Sequence, residues 1–193
     1  MDALALFMLR YDAVHVGFVD QLFSGIGDEQ LRRQPHGVNS VVWLVWHATR
    51  VEDAAVNRFV VDGRQVLDEG DWNARMRLAR RDVGPGMTAD DVRALSAAID
   101  VPALRGYQAA VAERTRAVAR SLPAAAWDQI VPPERIREVV ARDGLLLDAG
   151  RWVEEFWATG LPRGWYLLQV GLLHPYGHFF DAMVTRGLMG IGT

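Results

Sequence analysis

Ser40-Val41-Val42-Trp43-Leu44-Val45-Trp46-His47-Ala48, continued by Val51, Ala55, Val56 and Phe59, decides the fold class. The stretch is apolar on almost every side, and it reads as one helix over about residues 40–61. A helix wet on one side carries a polar face, which this one lacks, so it belongs deep inside a bundle. Asn39 or Ser40 supplies its N-cap. Trp43 and Trp46 are expected in the core.

Helical spacing continues on either side. Leu4, Met8, Tyr11, His15, Phe18 and Leu22 recur at alternating steps of four and three, which marks a helix over about 2–24 that ends at Ser24-Gly25. Thr88 and Asp91 form a capping box for a short helix to Ala98. Asp100 caps a long helix over about 101–122, with Pro102 tolerated in its first turn. A last long helix covers about 163–189. Residues 62–87 read as a long loop with one short helix, and 133–142 and 149–159 as short helices anchored by Trp152, Phe156 and Trp157. Trp152, Trp157 and Trp165 are expected to cover the bundle end or a dimer surface. No strand-period alternation or repeat interrupts the pattern. The expectation is an all-α chain: a single domain over 1–193, built as an antiparallel four-helix bundle with short accessory helices.

Composition limits the chemistry. The 193 residues are 50% hydrophobic and 23% charged, as in a globular domain. All 21 basic residues are arginine, and there is no cysteine. Schiff-base lysines, thiolate nucleophiles, disulfides and cysteine-ligated metals are therefore excluded. A net charge of −3 argues against a nucleic-acid partner. The N-terminus lacks the basic region of a signal peptide and no apolar run is long enough to span a membrane, so a cytoplasmic protein is expected.

Five histidines remain as the chief candidates: His15, His36, His47, His174 and His178. His174 and His178 stand one turn apart on one helix face, where two imidazoles can share a cation. Taken alone, such a pair more often reflects ordinary packing or partial exposure, and no glutamate follows His174 as a zincin site requires. His47 lies in the most apolar stretch, where it must find either a hydrogen bond or a metal. As a core histidine it needs only the former. Joined to His174 and His178, it would complete three nitrogen ligands with one position open to water. Pro175 removes a helical hydrogen bond and opposes the Gly171 carbonyl, so a kink there would re-aim His174. Gly171 and Gly177 suit either close helix packing or a substrate cleft.

Residues 39–53, Asn39 to Asp53, resemble the second helix of the DinB/YfiT-like metalloenzyme superfamily. Residues 168–178, Leu168 to His178, followed by Arg186-Gly187-Leu188, look like its fourth. The resemblance implies an up-down-down-up four-helix bundle and a divalent metal, zinc or nickel, held by His47, His174 and His178. Relatives include transferases and isomerases that use small bacterial thiols. It thus implies a hydrolase or thiol-dependent transferase acting on a small-molecule substrate, with a low-molecular-weight thiol as possible cosubstrate. The arginine-only, alanine-rich composition fits a GC-rich bacterial genome. The alternative is a non-catalytic, metal-binding stress-response bundle that acts as a homodimer. Pro175 and the segment 123–163 have no clear counterpart in the family pattern.

Other residues take lesser roles. His15 is a candidate fourth ligand or partner to a ligand, although a satisfied core residue explains it as well. Asp181, one turn beyond His178, is placed to orient an imidazole. His36 reads as a solvated loop residue. Glu52 and Asp53 are expected at a solvated edge or in a bundle-end salt bridge. Arg50 and Arg186 are expected in surface pairs or against an anionic substrate.

Overall fold

Ser40 starts the central helix by accepting the Trp43 N–H at 3.1 Å. The computed structural model describes residues 2–192. It is all-α, with four long helices and short accessory ones. We label the long helices α1 (residues 3–23), α2 (residues 41–60), α3 (Val101–Ser121) and α4 (residues 163–188). Helix α2 packs against both α3 and α4, and α1 touches the same two neighbours. Every residue of Val41–Ala54 is buried, as its all-round apolar pattern requires. Trp46 is wholly enclosed and Trp43 nearly so.

Three of the long helices contain a π-helical turn: Ala13–Phe18 in α1, Ala55–Val60 in α2 and Gln169–Leu173 in α4. The turn in α4 ends immediately before His174-Pro175. Pro175 offers no N–H to the Gly171 carbonyl. That carbonyl accepts from His15 Nε2 at 2.8 Å instead. Gly171 serves close packing: a Cβ there would stand 3.4 Å from the Tyr11 ring, whereas Gly177 faces open space.

Between α2 and α3 the chain forms two short helices, Val66–Glu69 and Trp72–Arg75, before Ala89–Ala98. The Thr88–Asp91 capping box is present, and Asp100 Oδ1 accepts from the Ala103 N–H at 3.0 Å. Segment 123–162 carries Ala124–Trp127, Pro133–Asp143 and Trp152–Trp157.

The charged residues of α2 correct the expectation of a solvated edge. Arg50 and Asp53 are fully buried, and Glu52 is 1% exposed. Asp53 accepts from the backbone N–H groups of Val66 (2.8 Å) and Leu67 (2.9 Å), from the Tyr107 hydroxyl (2.6 Å) and from Asn57 Nδ2 (2.8 Å). Arg50 lies 3.5 Å from it and donates to Gln65, Tyr107 and the Arg81 carbonyl. These donors replace the water each charge gives up. Arg186 is likewise internal, donating to the carbonyls of Leu22, Ser24 and Gly192 rather than to a surface acid.

Glu52 receives a hydrogen bond from the Tyr11 hydroxyl. Burial pushes its carboxyl up to about 8, with the Tyr11 bond opposing the shift.

Two predictions follow from these buried charges. Asp53→Ala strands a buried guanidinium and two backbone donors, and is expected to cost about 3–5 kcal/mol in urea unfolding. For Glu52, the folded chain holds a proton between pH 4.5 and about 8 that the unfolded chain has lost. Its contribution to stability is complete below pH 4.5 and is lost as pH rises through 8. Glu52→Gln removes that loss. Denaturation at pH 5 and pH 8 should show the variant gaining on the parent as pH rises, and an unchanged difference would refute the assignment.

Candidate metal centre

Where α2 faces α4, three imidazoles converge. The ring centroids of His47, His174 and His178 are 4.9, 4.7 and 4.5 Å apart, and each pair is close to perpendicular, at 67°, 75° and 80°. A nitrogen from each lies within 4.8 Å of the others. His174 and His178 owe their alignment to the one-turn spacing. The π-turn Gln169–Leu173 sets the phase at which His174 leaves it.

His47 is held from two sides. Its ring stacks on Trp43, with centroids 4.9 Å apart and planes 15° from parallel. Its Nδ1 meets the Val83 carbonyl. A carbonyl only accepts, so Nδ1 carries the proton and Nε2 keeps its lone pair. The loop presses this carbonyl inward because Gly84 follows: its φ is +110°, and a Cβ there would stand 3.0 Å from His47 Nδ1 and 3.2 Å from Trp43.

Burial keeps all three rings neutral. It drives His47 down to about 3, with His178 adding to the effect and the Val83 bond opposing it. His174 is pushed well below its usual value by burial, then by the other two rings. His178 is lowered by burial and partly restored by Asp181. Neutral imidazole is the form that binds a cation. The Nδ1 atom of His174 is buried without a hydrogen-bond partner, whereas that of His178 has Asp181 Oδ2 at 3.4 Å. A buried group without a partner leaves about 1–3 kcal/mol unrecovered. Convergent lone pairs, the uncommitted buried nitrogen of His174 and the lack of a carboxylate in the group fit a first-row divalent ion such as zinc.

The group opens onto a cavity of about 480 Å³. Trp43, Val51 and Val170 line it from the long helices, Pro85 from the loop, and Trp152, Val153, Phe156 and Trp157 from the accessory helix. Gln169 also reaches it.

The other sequence candidates are placed as follows. Asp181 Oδ2 is 3.4 Å from His178 Nδ1. His15 stands outside the group: its Nε2 donates to Gly171 and its Nδ1 accepts from Gln108 Nε2 at 3.2 Å. With both nitrogens engaged, no lone pair is left for a cation. His36 is exposed in its loop. Sequence reasoning missed the Val83–Gly84 strap, for which Gly84-Pro85-Gly86 was the available signal. It also assigned Trp152 and Trp157 to a bundle end or dimer surface, whereas both line the cavity.

A family model described as the DinB superfamily matches residues 19–153. The match includes His47 and ends before His174 and His178, whose association with it rests on the geometry above. A solved structure described as a conserved protein from Enterococcus faecalis superposes with a TM-score of 0.74 at 17% identity. The superposition covers 98% of this chain and 99% of that one, and shows a shared fold. No curated protein matches the chain.

Proposed function

The chain belongs to the DinB superfamily, and from that premise we propose that it is a divalent-metal-dependent enzyme, with zinc or nickel held by His47, His174 and His178. The observation that carries this reading is three neutral imidazoles converging at the wall of an open cavity. A structural zinc site is closed by four protein ligands. Among the described residues no fourth histidine or acid joins the group.

When bound, such a cation supplies Lewis acidity, which eases proton loss from a coordinated oxygen or sulfur donor and polarises a carbonyl. The chain's own contribution is positional. Val83 fixes the tautomer of His47, and Trp43 fixes its plane. Asp181 beside His178 increases that ring's basicity, as carboxylates behind metal-bound histidines do. Gln169 also lines the cavity and offers an amide to orient a substrate. No ordinary general base faces the cavity among the described residues. The chemistry best served is therefore hydrolysis, or transfer to or from a small thiol.

The test is metal analysis of protein expressed without a histidine tag, followed by hydrolase and thiol-transferase screens. One divalent ion per chain is expected. His178→Ala should lower metal affinity at least about 10-fold while the far-ultraviolet circular dichroism stays helical. Full occupancy in that variant would overturn the assignment.

A second proposal concerns assembly. Helix α4 exposes Leu173, Tyr176, Phe180 and Val184, and its neighbour α1 exposes Leu6, Leu9 and Val16. Contiguous apolar surface of this kind marks an interface. Gly17 and Gly177 on the same faces leave room for close helix approach. A second copy of the chain, related by a twofold axis, would cover the surface. Light scattering should then give twice the 21.5 kDa chain mass. Phe180→Glu with Val184→Glu should halve it, and a monomeric parent would refute the proposal.

A further inference from the structure

The cavity beside the three histidines has an uneven chemical character. Its enclosing wall is Val51, Val153, Trp157 and Val170, all buried. At its mouth stand Trp152, 70% exposed, and Phe156, 48% exposed. No Asp, Glu or Arg of the described residues lines it. That absence is notable in a chain that is 23% charged. On α2, Arg50 and Asp53 are engaged in their own hydrogen-bond network, and the Glu52 carboxyl, which burial keeps protonated, is held by Tyr11.

These features limit what can enter. Away from the histidines, on the wall of Val51, Val153, Trp157 and Val170, a carboxylate, phosphate or ammonium would lose its hydration and find no opposite charge, which is among the costliest events in protein binding. An aromatic or aliphatic body loses only unfavourable hydration, and the indole and phenyl rings give it flat faces to pack on. The volume lies within the ~300–1,000 Å³ of small-molecule sites.

We propose that the substrate is an uncharged molecule with an aromatic or branched aliphatic body and a single metal-ligating end. The body lies between Val51, Val153 and Trp157 under the rings of Trp152 and Phe156. The ligating end reaches the histidines, with Gln169 available for one hydrogen bond. Nucleotides, sugar phosphates and thiols with carboxylates on the buried part are rejected. Helix Trp152–Trp157 is then the specificity element. Only the placement of the ligating end rests on the metal reading proposed above.

Two arms keep those readings separable. In the first, metal-free protein is titrated with uncharged N-phenyl-1-naphthylamine and with its sulfonated counterpart, 1-anilinonaphthalene-8-sulfonate, followed by probe fluorescence. The uncharged probe is expected to bind at least about 10-fold more tightly, and Trp152→Ser with Phe156→Ser to weaken it at least about 5-fold. Both substituted residues are exposed, and circular dichroism checks the variant's fold. Equal or tighter binding of the sulfonate overturns the proposal, as does an unaffected variant with intact helicity.

In the second arm, zinc-loaded protein is titrated with acetohydroxamate, benzohydroxamate and 4-carboxybenzohydroxamate. The phenyl group should improve affinity at least about 10-fold over the methyl, and the added carboxylate should abolish that gain. A retained gain overturns the substrate class. Failure of zinc to bind at all defeats the metal reading, while the first arm still decides the character of the cavity.

Discussion

An imidazole in the middle of an all-apolar helix must find partners for both nitrogens, and much of this structure is arranged around how His47 does so. The Val83 carbonyl takes one nitrogen. That carbonyl is held in place by several bonds nearby. The Val83 N–H donates to the Leu145 carbonyl at 2.9 Å, the Gly84 N–H to Asp82 Oδ1 at 3.1 Å, and Arg80 braces Asp82 at 2.9 Å. Pro85 then packs so closely on Gly150 that a Cβ there would stand 2.3 Å from the Pro85 carbonyl oxygen. The accessory segment beyond residue 123 therefore does two things at once. It anchors the loop that orients His47, and it supplies the aromatic wall of the cavity.

His15 shows that burial alone does not distinguish a ligand. It is 5% exposed and His47 is 6% exposed, and burial lowers both. The difference lies in what remains unpaired. At His15 the Gly171 carbonyl is available because Pro175 cannot donate to it, and Gln108 completes the ring. At His174 a buried nitrogen stays without a partner, and at His178 the corresponding atom has only Asp181, at 3.4 Å. Pro175 thus serves the core at one remove: it frees a carbonyl for His15 while the adjoining π-turn carries His174 into the site.

The all-α class, the caps at Ser40, Thr88 and Asp100, and the burial of Trp43 and Trp46 were legible in the sequence because each depends on neighbours within one or two turns. The meeting of His47 with His174 and His178 was suggested by their apolar settings, one-turn spacing and the family resemblance, whereas spacing alone favoured ordinary packing. The buried charges were misread for a related reason. Helical position says which way a side chain leaves its helix, not what waits there. Tyr107 reaches Asp53 from 54 residues away and Tyr11 reaches Glu52 from 41, and no local pattern announces either. Trp152 and Phe156 were recognised as anchors without their target, since the cavity forms only when the accessory helix folds back over α2 and α4.

The misread charges also bear on the chemistry. Helix α2 presents His47 and Val51 to the cavity, while Arg50, Glu52 and Asp53 are engaged elsewhere. Arg50 and Asp53 satisfy one another and Glu52 keeps its proton, so no unpaired ion stands in a low-dielectric space, where it would be costly. A donor set of three neutral rings then leaves the positive charge of a bound divalent ion undiminished by its ligands, the condition under which Lewis acidity is greatest. Asp181, largely exposed on the outer side of His178, adds only a modest counter-charge. The Arg50–Asp53 pair sits on the turn of α2 that follows His47, and it stays out of the cavity because each charge already has its own partners.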